Sequence, residues 1–196
     1  MNSLFLDTSN QICIGLLSED FEWIEFKIIK EKKASKALHG LIQDILTTHR
    51  LELDEIKNIF YISGPGSYTG VRVAHGLCEV LQWQSFDVYS CRHFDIPKLL
   101  GISKGSFASK AFKREIFLYK WNEGQTDQTL ISEDEFDTSS KEFYTCDVDS
   151  FPNFHSTYKL IENHPQKLFS LLLENSSKSE VFYYRSLDEE FTKSKS

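Results

Sequence analysis

Cysteine is scarce and unpaired in this sequence. Cys13, Cys78, Cys91 and Cys146 form no C-x-x-C pair and have no histidine in ligand spacing. That spacing excludes a disulfide framework or a zinc ribbon and leaves isolated, buried thiols in a reducing compartment. Long apolar runs are missing too: no stretch approaches the roughly 20 apolar residues of a membrane span. Met1-Asn2-Ser3-Leu4 lacks a basic flank and Asp7 interrupts the first apolar run, so nothing resembles a secretory signal and a cytoplasmic protein with no membrane partner is expected. Positive charge is in deficit, with 22 Lys and Arg against 29 Asp and Glu and a net charge of −7. Gripping a nucleic acid unaided requires a basic face. The one basic run, Lys27 to Lys36, is interrupted by Glu31 and reads as a solvated loop, so direct RNA binding is disfavoured. The six histidines (39, 49, 75, 93, 155 and 164) make no pair with metal spacing and read as surface or core residues. His93 lies near Cys91 and Asp95, too little to define a site.

What is present is an ordinary globular composition, with 40% apolar and 26% charged residues over a length of 196. Phenylalanine is abundant, at 16 against one methionine and three tryptophans, which supplies large rigid pieces for a core or an interface. Leu4 to Asp7, Ile12 to Leu17 and Phe21 to Ile29 read as three strands, the first two separated by the turn residues Thr8-Ser9-Asn10-Gln11. Ala34, Leu38, Leu41, Ile42, Ile45 and Leu46 recur at helical spacing, which predicts a helix over 34–48. A strand at Ile59 to Ile62, a helix over 70–84 and a strand at Asp87 to Ser90 complete an α/β unit with a mixed sheet. This is also the element order of an RNase H-like half. Beyond residue 100 the pattern thins. Glu115 to Trp121 is a strand and 122–142 a polar, acidic loop around Glu133, Asp134, Glu135 and Asp137. A helix follows over 165–175, then a strand or extended arm at Val181 to Tyr184 and a polar tail at 186–196.

The segment from Gly64 to Arg72 is the most informative. Glycines at 64, 66 and 70 permit close backbone approach, Pro65 stiffens the turn, and Ser67 or Thr69 can cap the helix that follows. A strand, loop and helix in this order can hold an anion at the helix N-terminus. Yet the segment is no Walker A loop, because Gly70 is followed by Val71-Arg72. It is no dinucleotide loop, because three residues separate Gly66 from Gly70, and no nucleophile elbow, because Pro65 and Thr69 flank Ser67. A structural turn with close helix packing is the favoured reading. Ligand binding at Asp7, Thr8, Gly64, Gly66, Ser67, Thr69 and Arg72 is the alternative, since Asp7 ends the first strand where actin-like phosphotransferases hold an Mg-nucleotide. The small residues Gly70, Ala74 and Gly76 on the second helix suit either close packing on the sheet or a partner surface.

Three segments together resemble the TsaB (YeaZ) family of the glycoprotease-like M22 group. Leu4-Phe5-Leu6-Asp7-Thr8-Ser9 is similar to its opening strand and turn, and Leu41-Ile42-Gln43-Asp44-Ile45-Leu46 to the end of its first helix. Gly64-Pro65-Gly66-Ser67-Tyr68-Thr69-Gly70-Val71-Arg72 resembles its Gly-Pro-Gly-Ser-Phe-Thr-Gly-Leu-Arg. Val181 to Arg185 is a looser echo of its C-terminal Pro-x-Tyr-Leu-Arg. The chain departs from the family at Ala34, where a histidine is usual, and at Ser109-Lys110-Ala111, in place of Asp-Ala-Arg.

The resemblance implies an actin-like, Hsp70-like (ASKHA) architecture of two RNase H-like lobes, 1–100 and a shortened 101–196. It implies a non-catalytic scaffold that forms a homodimer when alone, or a heterodimer with its paralogue TsaD, through the two helices of the first lobe. TsaD holds the metal and transfers a threonylcarbamoyl group to adenosine 37 of tRNA. TsaE, an ATPase, joins the assembly, and tRNA is met only through the complex. The implied partner contacts here are Leu38, Leu41, Ile45, Gly70, Val73, Ala74 and Leu77. No metal or cofactor is expected, since the His-x-x-x-His pair of TsaD is missing from Ser90 to Asp95. The alternatives are an actin-like ATP-binding enzyme (an ATPase or kinase) working through Asp7 and the Gly64–Gly70 loop, and a protease acting on TsaD.

Overall fold

The computed structural model describes residues 1–30, 34–137 and 143–185. The first two strands, β1 (Asn2–Asp7) and β2 (Ile12–Leu17), are buried along nearly their whole length, which is why they read as continuous apolar runs with no alternation. They pair antiparallel, and β2 pairs in the same sense with β3 (Trp23–Ile29). The helix α1 (Ala34–Thr48) leads to β4 (Ile56–Ile62), which lies parallel to β1; α2 (Tyr68–Trp83) leads to β5 (Asp87–Cys91), parallel to β4. The sheet order is β3-β2-β1-β4-β5.

After a short helix α3 (Ile96–Leu99) the chain builds a second sheet from β6 (Lys104–Lys110), β7 (Glu115–Asn122), β8 (Gln125–Ser132), β9 (Phe143–Thr145) and β10 (His155–Ser156). From its β8 edge the order is β8-β7-β6-β9-β10. The first two pairings are antiparallel and the last two parallel. The second sheet therefore repeats the order and sense of the first, and the fold is two RNase H-like lobes, as expected. The shortening is in the crossovers. Where the first lobe has α1 and α2, the described residues of the second hold a single 3-10 turn, Glu133–Glu135, and irregular chain. Phe136, Phe151 and Phe154 cover that face of the sheet instead.

The final helices, α4 (Thr157–Asn163) and α5 (Pro165–Glu174), cross the division expected at residue 100. α1 and α2 cover one face of the first sheet, over Leu4, Leu6, Ile14 and Ile59. The opposite face, with Phe5 and Phe60, packs on α5 in a core that also takes in Phe107 and Phe117 of the second sheet. Phe169 is fully buried at its centre, with ring centroids 4.8 Å from Phe60 and 5.5 Å from both Phe5 and Trp23. F169A is expected to cost about 3–5 kcal/mol in urea denaturation, from lost transfer energy plus a cavity.

Two expectations are corrected. β3 begins at Trp23 because Phe21 sits in a left-handed turn (φ 58°) closed by the Ser18 N–H to the Glu22 carbonyl at 2.9 Å. The segment 122–142 is not all loop: β8 is a solvated edge strand, exposed from Gln125 to Thr129, so it carries no alternating apolar pattern. Its hairpin turns on Glu123 and Gly124, both at positive φ. β6 gave no clear sequence signal. Residues 31–33 of the expected basic loop, 138–142 of the acidic one and the tail at 186–196 lie outside the described residues.

Candidate functional site

The Gly64–Arg72 loop is pressed against the turn after β1. The Ser67 N–H donates to the Ser9 carbonyl at 2.6 Å, and the Thr8 hydroxyl donates to the Gly70 carbonyl at 2.6 Å. A Cβ at Gly66 would stand 2.3 Å from the Ser9 carbonyl oxygen, and one at Gly70 2.0 Å from that of Thr8. The glycines serve backbone packing within the chain. Ser67 caps α2, its hydroxyl accepting from the Gly70 N–H at 3.3 Å.

The candidate ligand set is divided by this packing. Asp7, Thr8 and Gly64 are buried, whereas Ser67, Thr69 and Arg72 are exposed. Arg72 donates to the Tyr68 hydroxyl at 2.6 Å, and the Tyr68 ring packs against Tyr183 at a tilt of 39°. An inter-lobe cleft of about 400 Å³ opens beside the loop, lined by Gly66, Ser67, Tyr68, Ser109, Asp147 and Tyr184 among others; Asp7 and Thr8 are not in its wall. The turn carboxylate therefore does not face the cleft, contrary to the expectation for a nucleotide site there.

Asp7 faces His93, one of the six histidines expected at the surface or in the core, here fully buried. Nε2 of His93 lies 3.0 Å from Asp7 Oδ2 and 3.1 Å from Ser9 Oγ, and Nδ1 lies 3.0 Å from Thr157 Oγ1. All four side chains are fully buried. The set contains serine, histidine and aspartate, but both oxygens compete for one ring nitrogen, whereas a hydrolase triad needs them on opposite nitrogens. No substrate reaches a serine at 0% exposure. The only hint in the sequence was that Asp7 ends one strand and His93 follows another. The buried thiols Cys13, Cys91 and Cys146 nearby are pushed well up, by burial first.

The helical face divides the expected partner residues in the same way. Leu38, Ile45, Gly70 and Ala74 are sealed in the chain's own core, because their side of each helix lies on the sheet. They are corrected to core residues. Leu41, Val73 and Leu77 remain half-exposed. Beside them on α2 are two residues that the sequence reading missed: Val80, 44% exposed, and Trp83, 82% exposed. At 100° per residue, Val73, Gly76, Leu77, Val80 and Trp83 occupy one arc of α2, with Val73 and Leu77 packed against the core at its edge and Val80 and Trp83 exposed. Gly76 has open space around its Cβ position. Tyr61 of β4 ties the sheet to α2 by pairing with His75 Nδ1 at 3.0 Å, and burial pushes its phenol up to about 12. Between α1 and α2 runs a groove of about 700 Å³, lined by Ile42, Leu46, Leu51, Leu53, Leu77 and Leu81 with polar rims from His39, Gln43 and Arg50.

Two repeated lobes, with a paired-helix layer on the first alone among the described residues, make an actin-like fold. The chain is similar to TsaB (YeaZ) proteins. The TsaB tRNA threonylcarbamoyladenosine biosynthesis protein of Escherichia coli K12 is 33% identical over 82 residues, 41% of this chain and 35% of that protein. Its namesake in Bacillus subtilis 168 is 29% identical over 147 residues, 66% of this chain and 60% of that protein. The chain thus matches under two thirds of the length of these relatives. YeaZ from Pseudomonas aeruginosa superposes with a TM-score of 0.60 at 18% identity, over 89% of this chain and 92% of that one, a likeness of fold. No family model matches. Among the described residues, no helix is long and apolar enough to cross a membrane and no group of three or more His, Cys, Asp or Glu is placed to hold a metal ion.

Proposed function

We propose that this chain is a non-catalytic scaffold subunit of tRNA threonylcarbamoyladenosine biosynthesis. It docks through the bare face of α1 and α2 onto a paralogous actin-like subunit of the TsaD type. That partner performs the transfer to adenosine 37, with TsaE joining the assembly and tRNA met only through the complex; alone, the chain pairs with itself through the same face. The observation that carries this reading is the arc on α2. An 82% exposed tryptophan beside a 44% exposed valine has no function inside a monomer, whereas such anchors dominate binding at helical interfaces. The likeness to TsaB proteins supplies the pathway. The inward-turned Asp7 and glycine loop favour this reading over an ATPase or kinase, and the buried Ser9–His93 pair favours it over a protease.

Co-expression tests it. The chain is expected to co-elute with the TsaD paralogue on size exclusion and to modify no tRNA alone. Two species that stay separate across salt conditions, or modification by this chain unaided, would overturn it.

A further inference from the structure

Asp7, Ser9, His93 and Thr157 meet where the two lobes join. Asp7 and Ser9 belong to the turn after β1, His93 follows β5, and Thr157 opens α4 directly after β10. His93 is tied at every polar group. Its N–H donates to the Gly64 carbonyl at 2.9 Å, Nε2 faces Asp7 and Ser9, and Nδ1 faces Thr157, whose hydroxyl reaches the Thr145 carbonyl of β9 at 3.2 Å. Asp7 Oδ1 accepts the Ser9 N–H at 2.7 Å, while Oδ2 has no hydrogen-bond partner and faces the imidazole at 3.0 Å, with the Tyr158 side chain also interacting with the carboxyl. The remaining walls are Phe107, parallel to the ring at 6.5 Å, and Tyr158, edge-on at 5.2 Å. A carboxylate in such surroundings is tolerated only with a partner.

The apolar core shared by the lobes supplies most of their adhesion, and a few polar bonds that cross between them, such as Asn10 Nδ2 to the Cys146 carbonyl at 2.7 Å, add direction. We propose that the Asp7–His93 pair, with Ser9 and Thr157, is an inter-lobe clasp that fixes the two sheets in one register and keeps the cleft from hinging. It acts by geometry; the apolar core supplies the adhesion. This does not depend on the docking reading and concerns the isolated chain.

Removing one member of a buried pair strands the other, whereas replacing both by apolar groups of similar size is often neutral for stability. The two kinds of variant therefore separate adhesion from register. Spin labels at K57C and Q128C, exposed positions on the first and second sheets, report the inter-lobe distance. The native thiols are all buried and do not compete for label. H93A is expected to lower the melting temperature. D7L/H93L is expected to recover most of that loss yet give a broadened distance distribution with a longer component. A double variant with the parent's single sharp distance would overturn the proposal. A double variant that cannot fold would also overturn it, by making the pair a requirement for folding itself.

Discussion

Charging the bare arc of α2 is expected to abolish partner binding while leaving the fold intact. V80E combined with W83A should weaken association with the TsaD-type subunit by more than about 100-fold, since one central aromatic anchor alone is worth about 2 kcal/mol or more. The same variant should melt within about 2 °C of the parent, because exposed substitutions away from special features change stability by about 0.5 kcal/mol at most. Titration calorimetry and a thermal scan read the two effects. L38A is the contrasting case: Leu38 is fully buried under α1, so its loss should appear as about 2–5 kcal/mol of stability. Parent-like affinity in V80E/W83A would rule this arc out as the docking surface.

G70A is expected to be the most damaging single methyl in the first lobe. The added carbon would stand 2.0 Å from the Thr8 carbonyl oxygen, a backbone atom held by β1 and by the Thr8 hydroxyl bond to Gly70 itself. Relief requires moving α2 off the turn, which breaks the Ser67 to Ser9 bond as well. A loss above about 4 kcal/mol, at the exceptional end for point changes, should show in urea denaturation or as failure to accumulate folded protein. G76A, six residues along the same helix with nothing within 4 Å of its Cβ position, should instead be neutral or stabilising by up to about 1 kcal/mol. Equal midpoints for G70A and the parent would show that the loop does not pack as described.

The first lobe was legible because its elements are periodic or wholly apolar. The spacing of Leu38, Ile45 and Leu46 marks the buried stripe of α1 directly. That same legibility misled the interface assignment. Periodicity identifies the side of a helix that needs cover, and the chain's own sheet supplies it, so Leu38, Ile45 and Ala74 were core residues. Which part of the remaining surface stays bare depends on how α1 lies beside α2, and no local pattern encodes that for Val80 and Trp83. The glycine loop was legible as a close backbone approach, but not as an approach to Thr8 and Ser9, some 60 residues away. β8 is not legible because an edge strand needs no apolar face, and the partners of the buried His93 are not legible because they lie 84, 86 and 64 positions off.

The unequal dressing of the two sheets has a further consequence. Among the described residues, one repeated sheet carries a pair of helices on its outer face and the other a skin of phenylalanines. A molecule with the same adhesive layer at both ends can hand contact from copy to copy and grow as a fibre. With that layer at one end only, assembly through it is self-terminating: the first partner to bind uses up the valence.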